Sequence, residues 1–501
     1  MSRPLFTTAL ILWSVAVTCA GDGFATVENA GQLVAARNAV EVAYRKSLAD
    51  LAQWCDERQL ASAVKQLHGW LPARDPLKSY IFKLPDSFEP PQKLNAGGPE
   101  SAEYWQRFTK LRRDQADALF ALARRAHAAR EYGMTFDLVR EACRENPDHA
   151  EARAILGYVR AGDVWALPDT ARRLAGGQVY HRKFGWLPAG QVKQYEMGRR
   201  YSRGKWISAD DDERQHASIR TGWRIDSEHY AVTTNHSLEE GVRLARRLEQ
   251  LYDVWRHVFV DYYVPQSEID RWFKRSSTTS ATAKNVAVPR PRRQHQVSYF
   301  RNRDEYNNEL RPLQPQIEIT LGIYFWQSRA AYFFADDEQY AGTLFHEAAH
   351  QLFQETRQTG RDIGAKNNFA LVEAVACYME SLVEHEHWYT LGGTEEGRVP
   401  AARKRLLDDQ FYVPFREATA QGMRELQRDE RLSKIYSQIS GQALFLLHAD
   451  NGRYRRPLVE TLMAIYTNKA DADTLAMKSQ ATYEQLDESY RQFMQTMNAE
   501  R

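Results

Sequence analysis

The chain has 501 residues, 43% of them hydrophobic and 12% aromatic, enough for a large buried core and for two or three domains. Its 67 basic and 65 acidic residues leave a formal net charge of +2, which gives no electrostatic case for a nucleic-acid partner. Four cysteines at this length exclude a disulfide scaffold.

The amino terminus sets the expected compartment. Met1-Ser2-Arg3-Pro4 carries one positive charge, Leu5 to Val17 is apolar, and Thr18-Cys19-Ala20 supplies small residues before Gly21. These are the parts of a secretory signal peptide over residues 1–20, cleaved after Ala20 or, alternatively, Ala25. The protein is therefore expected to be secreted or periplasmic. Cys19 raises a lipoprotein option, but Val17-Thr18 is a poor lipobox. No other run reaches the ~18 apolar residues of a membrane span. The mature chain keeps Cys55, Cys143 and Cys377, and whether the first two pair is open.

Residues 21–164 are expected to form a helical domain. Leu33, Val34, Val40, Tyr44, Leu48 and Leu51 recur at helical spacing, as do Ala116, Leu119, Phe120, Ala123 and Ala126 further on. A turn-rich break runs from Pro85 to Pro99. Tyr132 to Gly157 resembles one tetratricopeptide-type helical hairpin, too few for a solenoid and suited to packing or to docking a protein partner. From residue 165 to 222, Gly, Trp and Tyr alternate quickly, which predicts a β-containing connector.

A third region, 223–501, opens with strand patterns at Trp223-Arg224-Ile225 and His229 to Thr234. Ser237-Leu238-Glu239-Glu240 has the form of a capping box and starts a long helix to about Phe259. Ser276 to Ala283 and Pro289 to Arg293 read as loops, and Val297 to Phe300 as a strand. Glu318 to Trp326 and Ala330 to Phe334 are β-rich.

His346-Glu347-Ala348-Ala349-His350 follows, in a stretch without Pro or Gly from Thr343 to Thr356. On a helix, residues four apart lie one turn apart on one face, so both imidazoles can bind one Zn²⁺. Glu347 then stands where a general base would take a proton from the attacking water. A polar loop, 356–362, leads to Phe369 to Glu380, which predicts a second, mostly buried helix. A carboxylate in so apolar a run is costly unless paired or bound to metal, which makes Glu373 the expected third ligand. Glu380, seven residues on, either bonds a ligating imidazole or ends the helix in solvent. Cys377, one turn from Glu373, is most simply a small core residue. His385 and His387, two apart among charges, read as a solvated turn, and His448 as a packed helix residue.

These residues resemble the gluzincin zinc metallopeptidases, and among them the peptidase-MA-like domains of exported bacterial proteins. The resemblance rests on His346, Glu347 and His350, and on Glu373-Ala-Val-Ala-Cys-Tyr-Met-Glu380, which is similar to the family's Glu-Gly-x-Ala-x-Tyr-x-Glu. Ala374 departs from it where Gly is usual, a change that a helix tolerates. The likeness extends more weakly over Trp223 to Met497. It implies peptide hydrolysis, with an edge strand before the metal helix that binds extended substrate. It also implies a role for Tyr436, 63 residues after Glu373, as donor to the developing oxyanion.

The expectation is thus an α+β protein, with a tetratricopeptide-like helical domain before a zincin-like domain. It would be an exported zinc metallopeptidase acting on peptide or protein, with His346, His350 and Glu373 as ligands and Glu347 and Tyr436 catalytic. The alternative is an exported helical-repeat binding or scaffold protein whose zincin domain is catalytically silent.

Overall fold

The computed structural model describes residues 28–85, 88, 98–276, 293–335 and 341–497. The expected signal peptide and most of the two expected loops, 276–283 and 289–293, lie outside the described residues. The fold is mixed α+β and mostly helical, with a five-stranded mixed sheet, a three-stranded sheet and three two-stranded ribbons. No helix among the described residues is long and apolar enough to cross a membrane.

Helices Ala30–Asp56 and Ala61–His68 pack with Pro99–Ala128 around Tyr44, Leu48, Tyr104 and Phe108. Asn29 starts the first of them with a reciprocal capping box to Gln32. Helix Tyr132–Glu145 lies against Pro99–Ala128, and a second core there includes Val260, Ile269 and Phe273 from the later sequence. Cys55 and Cys143 lie in these two separate cores as buried free thiols, so they do not pair.

Strand β1 (Lys78–Phe82) was not expected from the residue pattern, and it pairs antiparallel with a strand some three hundred residues later, Trp388–Gly392. Ile81 enters the largest apolar core. Gly392 has φ +90, and a Cβ there would lie 2.7 Å from the Leu77 carbonyl oxygen, so this crossing needs glycine.

Residues 159–215 form three ββα units in tandem. The first has β2 (Val159–Ala161), β3 (Val164–Ala166) and helix Pro168–Ala175. The second has β4 (Gln178–His181), β5 (Gly185–Pro188) and helix Val192–Glu196. The third has β6 (Arg199–Ser202), β7 (Lys205–Ser208) and helix Ala209–Gln215. Trp165, Trp186 and Trp206, 21 and 20 residues apart, stand opposite Arg160, Tyr180 and Tyr201 across their ribbons. The same backbone return recurs, from Ala189 N to Gly177 O (3.1 Å) and from Ala209 N to Gly198 O (3.0 Å). The Gly/Trp/Tyr alternation expected to mark a connector thus encodes an internal repeat.

The five-stranded sheet has the order β11-β12-β10-β9-β8. Strands β9 (Tyr230–Thr234), β10 (His295–Phe300) and β12 (Ala330–Phe334) run parallel. The two edges, β8 (Trp223–Asp226) and β11 (Ile323–Phe325), run antiparallel to their neighbours. Helix Leu238–Val258, whose Ser237 Oγ accepts from Glu240 N at 3.1 Å, packs its apolar stripe on β8 and β9. Only Ile323–Phe325 of the expected 318–326 strand is extended. Residues 317–319 form a 3₁₀ turn, held by the Thr320 hydroxyl on Ile317 O (2.7 Å), with Ile319 77% exposed. Beyond the sheet come helices Ala341–Glu355 and Phe369–Met379, then strands β13 (Val383–Glu384) and β14 (Trp388–Gly392) and a helical remainder.

Candidate metal centre

Helix Ala341–Glu355 carries His346 and His350 one turn apart, with ring centroids 4.8 Å apart. It packs between the sheet and helix Phe369–Met379, all of whose residues are buried. That second helix is apolar throughout except for Glu373, which is 5% exposed and points at the histidines. His346 Nε2 lies 3.2 Å from Glu373 Oε2 and 3.2 Å from His350 Nε2, and His350 Nε2 lies 3.5 Å from Glu373 Oε1. One atom from each of the three residues converges on a common point, and such a group can hold a metal ion.

The next layer fixes His346. Its Nδ1 lies 2.9 Å from Glu380 Oε1, and Arg398 Nε donates to Glu380 Oε2 at 2.9 Å. Of the two readings of Glu380 that the sequence left open, the geometry selects the bond to the imidazole. Cys377 Sγ, fully buried, is 4.0 Å from the same Nδ1. Burial opposes protonation of His346, but its bonds to Cys377, Glu373 and Glu380 outweigh burial and hold the ring well above its usual range. Burial likewise opposes ionisation of Glu373, yet the two histidines hold its carboxyl far below the ordinary carboxylate range. Glu373 and Glu380 thus set two carboxylates against the His346 ring, with Arg398 on the far side of Glu380.

Glu347 stands beside this group, half-buried like His350, whereas His346 and Glu373 are buried, so the site opens on the Glu347 side. Burial raises its carboxyl above the ordinary range, partly offset by His346 and His350. Its Oε2 accepts from the backbone N–H of Tyr324 in β11 at 3.1 Å. Gly322, just before that strand, lets the chain approach, since a Cβ there would sit 2.9 Å from the Phe333 ring and 3.4 Å from Glu347 Cγ.

Tyr436 comes from helix Leu432–Gly452, with the Arg398 guanidinium 5.7 Å from its ring centroid. Burial, then the charge of Glu373, raises its phenol far above the usual range. His387 is exposed, and His385 bonds Thr390 Oγ1 at 2.9 Å, away from the centre. His448 packs in its helix with Nε2 2.7 Å from the Tyr378 hydroxyl. Sequence reasoning missed Arg398 and the Tyr324 amide. Arg398 lies in an unremarkable polar stretch, and a backbone donor leaves no residue-type signal. No protein-family model matches the chain, and no curated protein matches it.

Proposed function

We propose that the protein is an exported zinc-dependent metallopeptidase of gluzincin type, with a zincin-like domain behind a tetratricopeptide-like helical region. One observation carries the reading: His346 Nε2 lies 3.2 Å from both His350 Nε2 and Glu373 Oε2, and the other Glu373 oxygen, Oε1, lies 3.5 Å from His350 Nε2. Ligands bound tetrahedrally at about 2.0–2.1 Å from zinc are separated by about 3.3–3.4 Å, close to the 3.2 Å between the two imidazole nitrogens and between His346 Nε2 and Glu373 Oε2. Two imidazole nitrogens and one carboxylate are also a catalytic zinc donor set, with a fourth position left for solvent. When bound, zinc would supply the Lewis acidity that makes water a usable nucleophile near neutral pH.

The chain's own groups do the rest. Glu347, half-buried with its carboxyl raised by burial, accepts the proton of the attacking water and passes it to the leaving amine. Glu380, held by Arg398, fixes the tautomer of His346 so that Nε2 offers its lone pair to the metal. Strand β11 is a sheet edge beside Glu347, where an extended peptide can add antiparallel by backbone bonds. Tyr436 donates to the oxyanion.

The test combines elemental analysis of the purified mature protein with cleavage of a peptide library. About one zinc per chain and cleavage abolished by Glu347→Gln are expected. No divalent metal after zinc loading overturns the ligand assignment. Zinc binding with no peptide cleaved favours the silent-scaffold alternative.

A further inference from the structure

The three ββα units present a surface that the metal centre does not use. Each ribbon places an aromatic pair or an Arg–Trp pair on one face. Arg160 lies over Trp165 at 5.3 Å, Tyr180 meets Trp186 at 5.5 Å, and Tyr201 meets Trp206 at 5.2 Å. Tyr180 and Tyr201 remain 45% and 46% exposed. Neighbouring units are joined alike, by Arg173 over Trp186 and by Tyr195 against Trp206, so the pairs follow one another along the array.

The charge of this segment departs from that of the whole chain. Residues 159–208 hold ten basic and three acidic residues, and the third helix adds four acidic residues and one basic one, so the array still carries a net +4, whereas the full sequence is nearly neutral. Arg160, Arg172, Arg173 and Arg200 are paired with carboxylates. Arg182, Lys183, Lys193, Arg199, Arg203 and Lys205 are exposed and make no ion pair among the described residues. Exposed aromatics alternating with unpaired cations fit a linear polyanion that also carries flat apolar faces.

We propose that the ββα array docks an acidic polysaccharide, whose pyranose faces rest on Tyr180 and Tyr201 while its carboxylate or sulfate groups meet the unpaired cations. The Tyr–Trp pairs meet at 68° and 61°, edge to face, so no parallel slot exists to sandwich a nucleobase, and a single open tyrosine face suits a sugar ring. The array joins the sheet at β8, where Trp223 stacks on His216 at 4.7 Å and donates to Asp212 at 2.8 Å. Strand β11, beside Glu347, is the opposite edge, roughly 19 Å away at about 4.8 Å per strand. The array therefore anchors the protein to a polymer and does not feed the cleft. This inference stands independently of whether the metal centre hydrolyses peptides.

Affinity electrophoresis of the full chain in gels holding polygalacturonate, dextran sulfate, neutral dextran or oligothymidylate tests it, at about 0.1 M salt. Retention by at least one acidic glycan, about ten-fold tighter than by neutral dextran or oligothymidylate, is expected, and the two acidic arms separate carboxylate from sulfate recognition. Tyr180→Ala/Tyr201→Ala should weaken it about ten-fold, and Arg182→Ser/Lys183→Ser/Arg203→Ser should weaken it and flatten its salt dependence, with melting temperature and metal content unchanged. No retention by either acidic glycan overturns the proposal, as does tighter binding of oligothymidylate. Undiminished binding by the tyrosine variant also overturns it, because that would be plain charge adhesion.

Discussion

At the scale of single residues, the metal centre separates holding from chemistry, and substitutions should separate them too. His350→Ala removes one of three donors and should lower zinc occupancy far more than His385→Ala or His387→Ala, whose rings lie away from the centre. Glu347→Gln keeps shape and hydrogen bonding but cannot accept a proton. Metal content should stay at the parental level while hydrolysis falls by roughly 10²–10⁴. Glu380→Gln leaves all three donors in place but weakens the acceptor on His346 Nδ1, so metal affinity should drop roughly 10- to 100-fold in a chelator competition. Unchanged affinity would reduce Glu380 to an ion-pair partner of Arg398. Tyr436→Phe should slow turnover by roughly 10²–10³ at constant metal content. Loss of metal instead would reassign the phenol to holding Glu373, the carboxylate that most raises its pKa.

At the scale of elements, legibility followed the range of the interactions. Helices Ala341–Glu355 and Phe369–Met379 could be read because their own periodicity and the placing of His346, His350 and Glu373 are local. The capped helix after Ser237 was legible for the same reason. Strand β1 was not, because Lys78–Phe82 is extended only by virtue of a partner three hundred residues away. Nor was the end of the 318–326 strand, where Thr320 side-chain bonds to Ile317 and Tyr306 beat β propensity. The clasp of β1 on β14 reaches the metal centre. Gly392 N bonds Ser381 Oγ at 2.8 Å and the Tyr378 hydroxyl bonds Leu391 O at 3.3 Å, so β14 steadies the end of the Glu373 helix. Ile81→Ala, in a fully buried position of the main core, should cost about 2–5 kcal/mol in denaturant unfolding. It should also loosen metal retention, although Ile81 is not among the residues that could hold the ion. Normal metal retention at reduced stability would show that the clasp stops short of the site.

At the scale of the whole molecule, the amino-terminal helices and the sheet region meet through buried charge as well as apolar contact. Arg140, from helix Tyr132–Glu145, donates to the Phe82 carbonyl at 2.6 Å and grips Asp253 of helix Leu238–Val258 with both terminal nitrogens. His257 and Asp137 lie 2.6 Å apart across the same boundary, and Arg455 Nη1 lies 3.9 Å from Asp137 Oδ2. A pair of this kind adds little over an apolar contact while intact, but removing one partner leaves a buried charge unmatched at about 3–5 kcal/mol. Asp253→Ala strands Arg140, whose side chain is 6% exposed, and should cost more than Arg140→Met/Asp253→Ala, which strands neither. The same pair sets an acid limit. Burial opposes ionisation of Asp253, yet Arg140 outweighs it and holds the carboxyl below its ordinary range. Its stabilisation is therefore present above the unfolded value of about 3.9 and is lost as pH falls through the lower, folded value. Calorimetry of the parent near neutral pH should show the two regions unfolding in one transition, because they share core residues and these pairs. In Asp253→Ala at the same pH, the transition should broaden or split, and the double variant should restore it. Two separate transitions in the parent would mean that the buried pairs orient the regions without coupling their stability.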